Sequence, residues 1–152
     1  MKDVSSLARQ IATECPGFRV RQASRVLSKL YDDELRPLGL QHSQLPVLAA
    51  LAISGEQGAP MSRLAQALVM DQTTLSRNVR PLETAGLLRV ARSPNDRRAR
   101  VLFLTAAGER AIKSMFPAWE RVRQRVSRTL GASALTELLA RLDQVIAMSP
   151  AS

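Results

Sequence analysis

Eight arginines stand between Met61 and Arg100 against three acids, Asp71, Glu83 and Asp96, a local net charge of +5. A guanidinium stays charged at any physiological pH and presents a planar fork of donors matched to a phosphate or to the edge of a guanine. The chemistry available to such a set is recognition of a polyanion rather than bond-making. Projecting residues 72–85 at about 100° per residue sharpens this. Leu75, Val79 and Leu82 fall on one side; Thr73, Arg77, Arg80 and Thr84 fall opposite, with Ser76 at the margin. The outward face therefore holds hydroxyls and two guanidiniums and no acid, whereas a merely solvated helix usually mixes signs. A Thr there can donate to a base edge or touch a thymine methyl. A second group, Arg89, Arg92, Arg97, Arg98 and Arg100, surrounds the turn Ser93-Pro94-Asn95-Asp96. Arg side chains at a hairpin tip suit a narrow, electronegative minor groove, and Asp96 can orient one of them.

Composition agrees and excludes alternatives. The chain has 152 residues, 45% of them apolar, enough for one domain (1–152) with its own core. Its net charge is +9, and only Lys2, Lys29 and Lys113 among the cations are not Arg. With Cys15 the only cysteine, no intrachain disulfide can form, and a cytoplasmic location is expected. The first residues lack the basic start and apolar run of a signal peptide, and no apolar stretch reaches about 18 residues, so no membrane is expected as a partner. There is no phosphate-cradling glycine loop, no HExxH and no nucleophile elbow, and His42 stands alone without metal-spaced partners. We expect no enzyme activity, no metal and no cofactor.

The elements that must hold these residues follow from periodicity. Ala23, Leu27, Leu30, Tyr31 and Leu35 recur at helical spacing between Phe18 and Leu38. A second helix is expected from Ser43 as N-cap to Ser54, with Pro46 in its first turn. After the break at Gly58-Ala59-Pro60 come two short helices, from Met61 to Leu68 and from Gln72 to Ala85, the latter capped by Asp71 and carrying Pro81, where we expect a bend. Alternation of Val90, Val101 and Phe103 gives a β-hairpin, the only strands expected. Thr105 then caps a long helix ended by Gly131, and a last helix follows. The fold class is mainly α with a small β-hairpin wing: a winged helix-turn-helix lobe over residues 41–104, with long helices at 5–38 and 105–148. The apolar stripes of those helices exceed what the lobe can cover, so a homodimer is expected. The alternative is an intrachain bundle of the terminal helices.

At these residues the chain resembles the multiple antibiotic resistance regulator (MarR) family from about Phe18 to Leu142. The resemblance is carried by Leu38-Gly39-Leu40, Leu82-Glu83 with Ala85-Gly86-Leu87, Asp96-Arg97-Arg98, and Leu104-Thr105-Ala106-Ala107-Gly108. It implies a DNA-binding transcription regulator acting as a dimer on a pseudo-palindromic double-stranded operator, most often a repressor relieved by a small aromatic or anionic effector. It also implies that Arg98 enters the minor groove and that Thr73, Thr74, Ser76 and Arg77 are recognition-helix positions. The full DNA-contact set is Thr73, Thr74, Ser76, Arg77, Arg80, Arg97 and Arg98. Two other readings compete: a redox-sensing regulator acting through Cys15, and a winged-helix interaction module without DNA binding. The family's peroxide-sensing branch keeps a cysteine near Cys15, but this one falls about one position out of step and Tyr31 is the only tyrosine. His42 is expected as a helix-start residue and Trp119 as interface filling. Asp32 should pair with Arg36, and Lys29 with Asp33.

Overall fold

The computed structural model describes residues 3–93, 96 and 99–149. Seven helices and three strands follow in the order α1 (Val4–Glu14), α2 (Pro16–Leu35), α3 (Leu45–Ser54), β1 (Ala59–Pro60), α4 (Met61–Ala67), α5 (Gln72–Thr84), β2 (Leu88–Arg92), β3 (Arg100–Leu104), α6 (Ala106–Leu130) and α7 (Ala132–Ile146). No helix among the described residues is long and apolar enough to cross a membrane.

The N-terminal helical region is divided at Cys15, whose backbone is extended (φ −74°, ψ 113°). Pro16 follows it, and the residue before a proline is driven out of the helical region. The start of α3 also differs from the sequence expectation. Ser43 is not the cap; it sits inside a 3₁₀ turn, His42–Gln44. The Gln44 side chain there accepts from the Gln41 backbone N–H at 2.9 Å.

β3 is the central strand, with β1 and β2 antiparallel on either side. β1 is a strand that periodicity could not reveal. Two residues are too few to alternate, and Pro60 is tolerated because it lies on an edge. Gly58 (φ +64°) enters this strand so close to β3 that a Cβ would lie 2.4 Å from the Leu102 carbonyl oxygen.

One apolar cluster joins the lobe to the long helices. Leu48 and Leu51 of α3, Leu75 and Leu82 of α5, Leu88 of β2 and Leu102 of β3 are all but inaccessible to solvent. Leu35 of α2 and Met115 and Ala118 of α6 belong to the same cluster. Polar contacts fix the junction. Glu34 accepts from Arg121 Nε at 2.8 Å, and Asp32 Oδ1 accepts from the His42 backbone N–H at 2.6 Å. The His42 ring stacks on Tyr31 with centroids 4.6 Å apart, and burial holds its pKa below the usual 6.5. The expected pairs are thereby corrected: Arg36 pairs with Asp33, because Asp32 is turned to the start of the lobe. Lys29 has no ion-pair partner among the described residues.

Thr105 fixes the hairpin-to-helix junction in the run Leu104-Thr105-Ala106-Ala107-Gly108. Its hydroxyl accepts from the Gly108 N–H at 3.1 Å and donates to the Gly86 carbonyl at 2.6 Å. Its own N–H donates to the Leu87 carbonyl at 3.1 Å. One side chain caps α6 and ties it to the end of α5. The terminal helices leave their apolar stripes in solvent: Val4 and Ile11 of α1, Phe116 of α6, and Leu139, Val145 and Ile146 of α7 are exposed. No residue of α1 is buried, and only Leu135 of α7 is. An intrachain bundle would have covered these stripes.

Candidate nucleic-acid interface

α4 and α5 meet through Leu68, Val69 and Met70. The Leu68 N–H donates to Leu64 and the Met70 N–H to Ala65, both at 2.9 Å. The reversal is completed by Val69 at φ 51°, in the left-handed region. A β-branched residue is costly there, and Val69 is exposed, so packing recovers little. Val69→Gly is expected to raise stability by about 1 kcal/mol, relief of about 2 kcal/mol offset in part by the freer unfolded chain. Urea denaturation at fixed protein concentration checks this. A lower midpoint would contradict it.

Asp71 caps α5 with both carboxylate oxygens. One accepts from the Thr74 N–H at 2.8 Å, the other from the Thr74 hydroxyl at 2.7 Å. The backbone bond from Thr74, followed by its hydroxyl bond, holds the Asp71 carboxyl below its ordinary 3.8. Thr74 thus has a structural task that the sequence reading did not assign. Its hydroxyl proton is committed, leaving only acceptor capacity for a base or phosphate.

The rest of α5 divides as the helical projection requires. Leu75, Val79 and Leu82 are buried; Thr73, Ser76, Arg77 and Arg80 are exposed. Neither Arg77 nor Arg80 has an ion-pair partner among the described residues. The helix runs on through Pro81 to Thr84.

Beside α5, β2 and β3 pair from Leu88↔Leu104 to Arg92↔Arg100. The hairpin closes with the Ser93 N–H donating to the Ala99 carbonyl at 2.9 Å and the Ala99 N–H to the Asp96 carbonyl at 3.0 Å. Arg97 and Arg98 lie outside the described residues. The Arg89 guanidinium lies 3.9 Å from the Phe103 ring centroid, on the hairpin face opposite Arg92 and Arg100. A cleft of about 230 Å³ joins the two elements, lined by Ser62 of α4, Gln72 and Ser76 of α5, and Arg100 of β3. The exposed face of α5 and the turn end of the hairpin strands therefore share one surface. Sequence reasoning missed Ser62, Gln72 and the placement of Arg100, because the hairpin register that aims Arg100 was not known.

The sequence profile of the MarR family matches residues 38–99. Comparison with curated protein sequences found no match. Among solved structures, the Mycobacterium tuberculosis transcriptional regulator MosR in complex with DNA is 32% identical, covering 91% of this chain and 100% of that one with a TM-score of 0.76. This chain belongs to the MarR family. More distant structures share the fold. A mutant MarR from Escherichia coli complexed with operator DNA is 20% identical (95% of this chain, 99% of that one, TM-score 0.78). Bordetella bronchiseptica BpsR, studied for regulation of its DNA binding by 6-hydroxynicotinic acid, is 23% identical (85% and 96%, TM-score 0.74).

Other residues of this MarR-family chain fall away from the α5–hairpin surface. Cys15 is half-buried in the link between α1 and α2. Trp119 packs beside Phe116 with ring centroids 5.3 Å apart. A second crevice of about 300 Å³ lies where the lobe meets the long helices, between Leu38, Leu40, Gln44, Pro81, Leu87 and Ser114. Among the described residues, no charged side chain lines it.

Proposed function

We propose that this chain is a homodimeric transcription regulator that binds a pseudo-palindromic double-stranded operator, α5 lying in the major groove and the hairpin reaching the adjacent minor groove. The observation that carries the reading is the exposed face of α5: two guanidiniums without an ion-pair partner among the described residues and a row of hydroxyls without an acid, continuous with Arg100 at the turn end of the hairpin. A major groove about 12 Å wide admits such a helix. Thr73 and Arg77 would face base edges; Thr74 would accept, and Ser76 and Arg80 would serve phosphates. Arg97 and Arg98, which lie between β2 and β3 in sequence, would complete the set, with Arg98 in the minor groove. An interaction module without DNA would have no use for so many unpaired cations on one face.

Dimerisation covers the exposed stripes of α1, α6 and α7 and sets two copies of α5 about 34 Å apart, one helical turn. Occupancy of a promoter would exclude polymerase, so repression is the expected outcome. The uncharged crevice at Pro81 is the proposed effector site. An anion would find no cation there, so a neutral small aromatic is favoured over a carboxylate, and its occupant would press on the C-terminal half of α5.

The test is selection of bound fragments from the source genome by purified protein, followed by titration of the recovered duplex. A two-fold-related sequence bound by a dimer, with affinity falling steeply as salt rises, is expected. Equal recovery of all fragments, or binding by a monomer, would defeat the proposal.

A further inference from the structure

Side chains alternate along a strand, so Arg92 and Arg100 share a hairpin face with Leu88 and Leu102, which are buried against the lobe. The two arginines continue that face past the edge of the core and stand directly opposite each other, both exposed. Like charges in this position destabilise an antiparallel pair, and neither has an ion-pair partner among the described residues. The fold of the hairpin gives no reason for the pair. An anion would, and the cleft beside them is built for one. Among the described residues it is lined by Met61, Ser62, Gln72, Ser76, Ala99 and Arg100, a set with one cation, three neutral polar side chains and no acid.

We infer that this cleft seats one backbone phosphate of the bound DNA, held by Arg100 with Ser62, Gln72 and Ser76 and flanked by Arg92. The inference rests on the DNA-binding reading above and deepens it. Gln72 and Ser76 are one turn apart on α5, while Arg100 belongs to the hairpin, so a single phosphate would bridge the two elements and fix how deeply α5 sits relative to the wing. Such a contact positions the protein and carries no sequence information. It also relieves the repulsion between Arg92 and Arg100, so the hairpin stiffens when DNA arrives.

The experiment titrates the dimer with its selected duplex and with an unrelated duplex from about 50 to 300 mM salt, comparing the wild type with Arg100→Gln and Arg92→Gln. For Arg100→Gln the log–log salt slope should shrink by about 0.9 per half-site, and near 0.15 M salt affinity should fall roughly fivefold per half-site on both duplexes alike. Arg92→Gln should show a smaller loss of the same kind. Neither variant should melt earlier than the wild type, since each removes the like-charge pair. An unchanged slope overturns the inference while leaving DNA binding intact, and so does a loss confined to the selected duplex, which would make Arg100 a base reader. Inorganic phosphate that raises the wild-type melting temperature but not that of Arg100→Gln, with an unchanged DNA slope, would assign the cleft to a free anion and overturn it too. Failure of the wild type to bind either duplex would remove the parent reading and the seat together.

Discussion

Gly108→Ala is expected to lower stability by about 3 kcal/mol, although alanine is ordinarily the better helix former. Two opposing terms decide the sign. In the first turn of a helix the exchange of Gly for Ala gains up to about 1 kcal/mol from propensity and unfolded-state entropy. Against this, a Cβ at Gly108 would lie 2.1 Å from the Leu87 carbonyl oxygen and 2.6 Å from Leu104 Cδ1. The Leu104 side chain could turn aside; the Leu87 carbonyl is backbone and cannot. Moving α6 away disturbs the Thr105 bonds to the Gly86 and Leu87 carbonyls, each worth about 1 kcal/mol. Overpacking of this kind costs typically 1–3 kcal/mol and lies at the upper end where backbone must yield. In urea, with a slope of about 1–3 kcal/mol per molar, the midpoint should fall by 1 M or more. Wild type and variant must be compared at one protomer concentration, because association contributes to the apparent stability. Ala107→Gly is the control, losing only about 1 kcal/mol from propensity. Equal midpoints for Gly108→Ala and the wild type would show that the close approach is not required.

The same junction shows what the sequence made legible and what it did not. Asp71 and Thr105 were readable as caps because a cap is a local event: one side chain meets an N–H three residues on, as the distances to Thr74 and Gly108 bear out. The division of α5 into a buried and an exposed face was readable for the same reason, since helical period alone fixes it. Features that depend on distant partners were hidden. β1 exists only because Ala59 and Pro60 meet Leu102 and Val101 some forty residues later. Asp32 looked like a helix-surface partner for Arg36 and instead accepts from His42 across the junction. The misplaced cap at Ser43 is a third kind of miss, where local chemistry was present and outweighed by the Gln41–Gln44 turn. The DNA-facing set divides accordingly. The α5 residues follow from period; Arg100 needed the register of β2 on β3 to be placed in the cleft.

The largest functional effect should come from Arg77→Ala. Arg77 is exposed near the middle of α5 on the face opposite Leu75, Val79 and Leu82, and among the described residues no ion pair holds it back. A bidentate contact from such a residue to a guanine edge is worth about 1–3 kcal/mol of discrimination. A dimer makes it twice, so operator affinity should fall by roughly 30-fold to 10⁴-fold. Binding to unrelated DNA should fall far less, because that binding is mainly phosphate neutralisation. Stability should hold or rise, since Ala replaces an exposed Arg without an ion-pair partner among the described residues, and this separates lost recognition from lost structure. The decisive quantity is the ratio of operator to unrelated-duplex affinity, measured for both proteins at one salt concentration. If that ratio is unchanged while both affinities drop together, Arg77 grips the backbone, and the reading of sequence must fall to Thr73. If neither affinity changes, the outward face of α5 is not the DNA face, and the proposed docking of the whole lobe is wrong.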